Sequence, residues 1–554
     1  MSLRTAPRLL RHLLWLVPLA FLALFFLLPL ARILAVMASS SGTVSLPSIL
    51  KPLGFTLWQA LLSTLLTLAL GLPAAYIFSH FNFPGRRALR LLVTVPFILP
   101  TVVVAAGFNA LAGPHGWLNL LLMRLFQLTV PPILLLNTLG AILLAHVFYN
   151  TSILIRVVGG AWSALDENIR GAARVLGGSP LQVFWKVTLP LLRPSLLAAA
   201  LLVFLFDFTS FGVILLLGGP GYATLETEIY TQTLSMLNLR MAGILSVIQL
   251  ACTIGVSVVY ARINARRALA LRPGHGVQAA RPAGARQAIF VGVSILFLLL
   301  FFLTPLLSLV MRSLLAYDVA SGASRLTVAN YAGLFVNQRG SYFYVPPVRA
   351  ALNSLGFALL TALLALALGI ATAYAQTWSV RLRKWIDALI MLPLGTSAVT
   401  LGLGFLITFR KPPLDVASFP LLIPIAHTLV AFPFVLRTVA PVLLSVPRNL
   451  KDAAGVLGAS PWRVWRHVEA PIISQAAVIG GLYAFAISLG EFGATSFLAR
   501  PDLPTLPVAI YRYLSLPGET NYGQALAMAS ILMLLCILSM ALIERIPLRG
   551  RQDY

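Results

Sequence analysis

The chain has 554 residues, 59% of them hydrophobic and 10% charged, where soluble domains run about 45–50% apolar and about 25% charged. Lysine and arginine outnumber aspartate and glutamate 40 to 15, but the basic residues stand singly between long apolar runs, which argues against nucleic-acid binding and fits the topology signals of a membrane protein. Cys252 and Cys536 both lie inside apolar runs, so the sequence offers neither a disulfide framework nor a thiolate metal site.

A hydrocarbon core about 30 Å thick takes roughly 20 apolar residues in a helix. Twelve windows of that kind occur in chain order: Leu13–Ala31, Phe55–Phe78, Leu91–Leu111, Ile133–Ile155, Ser195–Leu217 and Met241–Ala261, then Ala288–Met311, Leu355–Ala375, Ala388–Phe409, Phe419–Leu436, Ile472–Leu498 and Ala525–Ile543. The first follows Arg4, Arg8 and Arg11, yet its uncharged run exceeds the 7–15 residues usual in a secretory leader, so it is expected to remain as a helix. With the N-terminus inside, alternate segments collect 28 of the 40 Lys and Arg on one side. Both termini are therefore expected in the cytoplasm; only the outer loop Arg312 to Arg349, with four arginines, weakens the bias.

The halves repeat. Gly171-Ala172-Ala173-Arg174-Val175-Leu176-Gly177-Gly178-Ser179-Pro180 returns 281 residues later as Asp452-Ala453-Ala454-Gly455-Val456-Leu457-Gly458-Ala459-Ser460-Pro461. The same offset relates His146 to His427, Pro190 to Pro471, Phe211-Gly212 to Phe492-Gly493, and Tyr230 to Tyr511; upstream, Tyr76 pairs with Tyr374 at 298 and Gly107 with Gly404 at 297. Six windows per half is an even number, so the repeats enter the membrane in the same direction and are expected to be related by a two-fold axis along its normal. The expected architecture is all-α and polytopic, about twelve helices in two parallel six-helix domains, 1–261 and 288–554, joined by an Arg/Gly/Pro-rich cytoplasmic linker, 262–287.

The duplicated segment falls on the cytoplasmic side, between the fourth and fifth windows of each half. Ala-Ala-x-x-x-Gly is helix-compatible up to a glycine that can end the helix in the left-handed conformation, and Ser-Pro restarts the chain as a cap followed by proline in the first turn. Two short helices with an abrupt elbow follow. A single copy would read first as an amphipathic segment lying on anionic lipid; duplication at constant internal spacing favours a pair of docking surfaces.

These residues resemble the signature loop of binding-protein-dependent ABC importer permeases: Ala172-Ala173, Gly177, Val187 and Leu189-Pro190 in one copy, Ala453-Ala454, Gly458, Val468 and Ala470-Pro471 in the other. Gly171 and Asp452 replace the family's leading Glu, and Ala470 its Leu. Phe83-Pro84-Gly85-Arg86, Leu144 to Asn150 and Gly218-Gly219-Pro220 resemble the thiamine members of a thiamine and ferric-iron branch. The resemblance implies two six-helix bundles, coupling helices that seat on two copies of a cytoplasmic ABC ATPase, and an extracytoplasmic substrate-binding protein that delivers a small solute, thiamine or ferric iron, across a bacterial inner membrane.

Nothing in the sequence offers catalysis. No lysine follows a glycine as a phosphate-binding loop requires, and no nucleophile elbow, zinc-protease motif or paired carboxylate occurs, so the chain is expected to be no enzyme, to need no cofactor and to hold no metal site. Charges inside a bilayer are expensive and usually face a cavity or one another, which makes Asp207, Glu491, His146 and His427 candidates for a translocation path. Either acid would suit a cationic cargo, or each serves packing by pairing with a donor. Asp207 and Glu491 stand 284 apart rather than 281, about one helical turn out of the repeat frame. Phe211-Gly212 and Phe492-Gly493 combine a bulky ring with a hinge residue and suit a gate or ordinary helix packing. The alternative to an ABC permease is an ion-coupled secondary transporter with no ATPase partner.

Overall fold

A computed structural model of the chain describes residues 8–40, 42–270, 279–318, 323–336, 345–377, 389–390, 392–393, 395–416 and 418–546. Part of the linker (271–278), the charged loop Arg381 to Lys384 and the terminal Arg4, Arg549 and Arg551 lie outside the described residues. Among those described, strand is confined to two short two-stranded pieces, and the rest of the regular structure is helical.

Repeat one supplies α1 (Leu14–Ser39), α2 (Leu46–His80), α3 (Arg86–Phe97), α4 (Thr101–Phe126), α5 (Leu139–Ser163), α6 (Glu167–Val175), α7 (Pro180–Phe208), α8 (Gly212–Leu217), α9 (Leu225–Leu234) and α10 (Leu239–Asn264). Repeat two supplies α11 (Ala285–Ser313), α12 (Pro347–Gln376), α13 (Ala398–Thr408), α14 (Leu422–Ser445), α15 (Arg448–Val456), α16 (Pro461–Gly490), α17 (Thr495–Leu498), α18 (Leu506–Leu514) and α19 (Glu519–Arg545). Ten helices among the described residues are long and apolar enough to cross a membrane, or eleven if a bent pair counts as one.

The difference from twelve lies in the third window of each repeat. Leu91–Leu111 is no straight span: α3 and α4 meet at 110°, because Pro96 lacks an N–H and Pro100 caps α4 from extended backbone. In Ala388–Phe409, α13 covers only Ala398–Thr408, and its start is set by Ser397, whose hydroxyl accepts the Val399 and Thr400 N–H groups at 3.1 and 3.3 Å. The fifth windows are broken as well, since α7 stops at Phe208 and α16 at Gly490 before short helices resume. Hydropathy counts apolar length and is blind to these breaks.

Two compact units form, and they divide the chain differently from the repeats. One gathers the described parts of Met1–Val44, Ile229–Val247 and Ala316–Gln552; the other gathers Ser45–Glu228 and Ile248–Leu315. Each unit thus takes the first helix of the other repeat. In the first unit α1 lies on α12 and α13, with Phe25 stacked on Phe405 at 6.3 Å and Leu22 and Phe26 in one core with Phe405 and Phe432. In the second, α11 lies on α3 and α4, with Phe302 stacked on Phe148 at 5.2 Å. The close approaches correspond: a Cβ on Gly107 would meet the Pro305 carbonyl oxygen at 3.0 Å, and one on Gly404 would meet Pro29 Cβ at 2.9 Å. Within the first unit Tyr230 hydrogen bonds its own repeat counterpart, Tyr511. Burial, and then the neighbouring Tyr511, push the Tyr230 phenol up to about 12.

Candidate functional site

Both elbows are built from local capping. Asp166 accepts the Asn168 N–H at 2.9 Å and starts α6, which carries Gly171, Ala172 and Ala173. At its end Gly177 has φ +83°; the Gly177 N–H bonds Arg174 O at 2.9 Å and the Gly178 N–H bonds Ala173 O at 3.0 Å, the double closure of a Schellman motif. Ser179 then caps α7 reciprocally with Gln182, at 3.3 and 3.0 Å, with Pro180 in the first helical position. Repeat two closes in the same way. Gly458 has φ +81°, its N–H bonds Gly455 O at 3.0 Å, the Ala459 N–H bonds Ala454 O at 3.0 Å, and Ser460 accepts the Arg463 N–H at 3.4 Å.

After each elbow one π-helical turn, Phe184–Thr188 or Trp465–Glu469, precedes Pro190 or Pro471. A proline inside a helix leaves the carbonyl four residues back without a donor and crowds it, and a widened turn absorbs both effects. The apolar pair at the tip of each elbow faces outward: Val175 and Leu176 are 88% and 87% exposed, Val456 and Leu457 both 88%. Asp452, Ala172 and Ala453 are exposed beside them.

The elbows are tied down differently. Arg170, on α6, meets His80 Nε2 at 3.0 Å, and the His80 ring lies 4.4 Å from Tyr76 and edge-on to Trp162. The linker reaches the same point, since the Ala280 N–H bonds His80 O at 3.0 Å and the Asn82 N–H bonds Ala280 O at 2.9 Å. In repeat two Lys451 pairs with Glu469, a buried carboxylate that also accepts the Tyr374 hydroxyl at 3.0 Å.

The four ionisable residues expected in a path come together as two clusters, one per unit. In the first cluster His146 Nε2 meets Ser210 Oγ at 2.8 Å, and its Nδ1 stands 3.5 Å from Asp207 Oδ1, which accepts the Asn150 amide at 2.6 Å. In the second, His427 Nδ1 meets Ser488 Oγ at 2.7 Å and its Nε2 lies 3.1 Å from Glu491 Oε2 and 2.7 Å from Thr495 Oγ1. Asp207 corresponds to Ser488 at the offset of 281, and Ser210 corresponds to Glu491. Acid and serine have exchanged places across one turn while the histidine stayed, so the 284-residue spacing of the acids is an exchange and not a misalignment. All four residues are buried, the most exposed being Glu491 at 8%. Phe211 and Phe492, also buried, sit at the breaks in the fifth helices, and Phe492 lies 5.5 Å from Tyr511.

Sequence reasoning missed the partners: Asn150, Ser210, Ser488 and Thr495 in the clusters, and His80, Glu469 and Tyr374 at the elbows. The Asp/Ser exchange was visible in the aligned repeats, but only the histidine's reach gives it meaning.

The family described as binding-protein-dependent transport system inner membrane component matches residues 67–308 and again 365–551. The chain belongs to this family. A double match within one chain makes it a fused permease of an ABC importer, and weighs against the ion-coupled secondary transporter. The thiamine transport system permease protein ThiP of Escherichia coli K12 is 27% identical over 508 residues, covering 90% of this chain and 89% of that protein. The ThiP of Haemophilus influenzae is 27% identical over 88% of this chain and 87% of its own length. The probable ABC transporter permease protein y4fN of Sinorhizobium fredii is 27% identical over 82% and 80%.

Proposed function

We propose that this ABC importer permease carries thiamine into the cytoplasm, received from an extracytoplasmic binding protein and driven by two copies of a separate ABC ATPase. The observation that carries the ATPase docking is the pair of elbows: identical closures, each presenting an exposed Val-Leu pair, at equivalent places in two repeats. Partly buried contacts hold each elbow to the transmembrane helices through Arg170 and His80 or through Lys451 and Glu469, which suits parts that transmit force. The coupling residues are then Gly171, Ala172, Ala173, Gly177 and Pro190 with Asp452, Ala453, Ala454, Gly458 and Pro471. Domains 1–261 and 288–554 act as the two halves, with the linker and both termini in the cytoplasm and ATP hydrolysis left entirely to the partner. At the opposite, outer end, a cleft of about 750 Å³ lined by Arg410, Asp415, Arg500 and Asp502 over Leu406 and Phe409 suits a binding-protein contact of mixed charge.

The cargo rests on relatives named as thiamine permeases that span nearly nine-tenths of this chain. His146, Asp207, His427 and Glu491 hold the broken fifth helices at the path, with Phe211 and Phe492 as gating rings. The test is ATP-dependent uptake into liposomes holding the permease with its ATPase and binding protein, thiamine against ferric iron. Thiamine uptake that stops without ATP is expected; iron uptake without thiamine uptake overturns the cargo, and uptake driven by an ion gradient with no ATPase present overturns the coupling.

A further inference from the structure

Glu491 has its hydrogen-bonding capacity taken up within the protein. Oε1 accepts the Ala494 N–H at 2.7 Å, and Oε2 accepts the Thr495 N–H at 3.0 Å and the Thr495 hydroxyl, with His427 alongside. It thereby satisfies two of the N–H groups that open the short helix Thr495–Leu498, which resumes after the break in the fifth span of repeat two. Asp207 is different. Its carboxyl takes side-chain donors, Asn150 on Oδ1 and the Ser63 hydroxyl beside it, and no backbone N–H among the described residues reaches it on a side chain with no exposed surface.

Other polar groups gather round that carboxyl. Ser63 hydrogen bonds it, His146 Nδ1 stands 3.5 Å from Oδ1, and Gln59 donates its amide to the Asp207 backbone carbonyl at 2.8 Å. Gln59 Oε1 lacks a hydrogen-bond partner among the described residues. Gln59 and Ser63 are one turn apart on α2 and share a face. Their counterparts at offset 298 are Phe357 and Thr361, and the Thr361 hydroxyl is engaged by Ser488 and the Pro424 carbonyl. Repeat two is therefore closed by backbone N–H groups, while in repeat one the Asp207 carboxyl has side-chain donors alone and Gln59 Oε1 has none. Buried acceptors short of donors are costly, and a positively charged group beside a carboxyl satisfies them.

We infer that Asp207 is this chain's contact for a positively charged group of the cargo, and that Glu491 is a positioning residue that caps the break in repeat two without touching cargo. This rests on the cargo being cationic, as proposed above. Asp207 is next to the last residue of α7, so a small opening at the break between Phe208 and Gly212 presents it.

The test compares Asp207→Asn and Glu491→Gln in the full chain, reconstituted with its ATPase and binding protein. In Asp207→Asn the new amide replaces Oδ2 and donates to Ser63 or Gln59. The thermal midpoint therefore holds or rises, while thiamine uptake per folded permease falls roughly tenfold or more. In Glu491→Gln the amide turns donors against the Ala494 or Thr495 N–H, so the midpoint drops, while uptake per folded permease falls several-fold less than in Asp207→Asn. Failure of Glu491→Gln to accumulate is the extreme form of that same loss. The midpoints need no cargo: a drop in Asp207→Asn as large as in Glu491→Gln overturns the assignment. If the native liposomes take up ferric iron and not thiamine, the thiamine reading falls and the same two ratios measured with iron test this one. Native-like uptake by Asp207→Asn, with whichever cargo moves, overturns it.

Discussion

Gly177 and Gly458 are the residues on which the elbows turn. Both occupy the left-handed region, at φ +83° and +81°, with open space where a Cβ would stand. A Cβ at either place would meet nothing within 4 Å, yet an L side chain there would strain the backbone by roughly 1–2 kcal/mol, so relief comes by unwinding the Schellman closure and re-aiming the Val-Leu tip. Replacing both with leucine is expected to leave membrane insertion and the thermal midpoint nearly unchanged while ATPase co-purification falls and uptake is lost. Uptake at the native level would remove the elbows from the coupling. Glu469 makes a complementary case, because it holds Lys451 and Tyr374 at once from a buried position. Glu469→Ala leaves the partly exposed lysine without its partner and frees one elbow only. The expected result is ATPase binding weakened at one of two sites, read as a biphasic titration of the ATPase onto the permease.

At the scale of elements, the exchanged first helices depend on glycine at the crossing. Gly107 admits Pro305 of α11, and Gly404 admits Pro29 of α1, each at a distance where a side chain would collide with backbone or ring. Overpacking of this kind costs about 1–3 kcal/mol. Gly404→Leu is therefore expected to lower the thermal midpoint and loosen α1 from α13, which a disulfide between cysteines engineered into those two helices would report as slower cross-linking. Unchanged cross-linking would mean that the contact tolerates separation. The prolines at these crossings, and those at Pro96 and Pro100, show how breaks and close approaches serve one purpose: they shape apolar helices that hydrophobicity alone would leave straight and interchangeable.

For the whole molecule, the exchange predicts a result that the repeat boundaries do not. Removing residues before Val44 deletes a helix of repeat one, yet it packs most extensively on α12 and α13 in repeat two. Limited proteolysis of the truncated chain should cut repeat two faster than the native chain and leave α2 to α8 protected, and preferential cutting in repeat one would refute this division. Topology is testable on the same molecule. With Cys252 and Cys536 replaced, a single cysteine introduced at Ala265 is expected to react with a membrane-impermeant thiol reagent only in inside-out vesicles.

Apolar length, the bias of 28 of 40 basic residues and the 281-residue repeat were enough to determine a polytopic all-α chain with two matched halves and duplicated elbows. The elbows were legible down to their glycines because they are local devices, closed by hydrogen bonds within a few residues. Contacts between segments distant in sequence were not legible. No pattern in the sequence shows that α1 leaves its own repeat, that His146 and His427 each bridge an acid and a serine whose places are exchanged, or that Glu491 accepts backbone N–H groups while Asp207 takes side-chain donors. Those facts depend on which surfaces meet, and hydropathy is the same for every apolar surface; only packing distinguishes them.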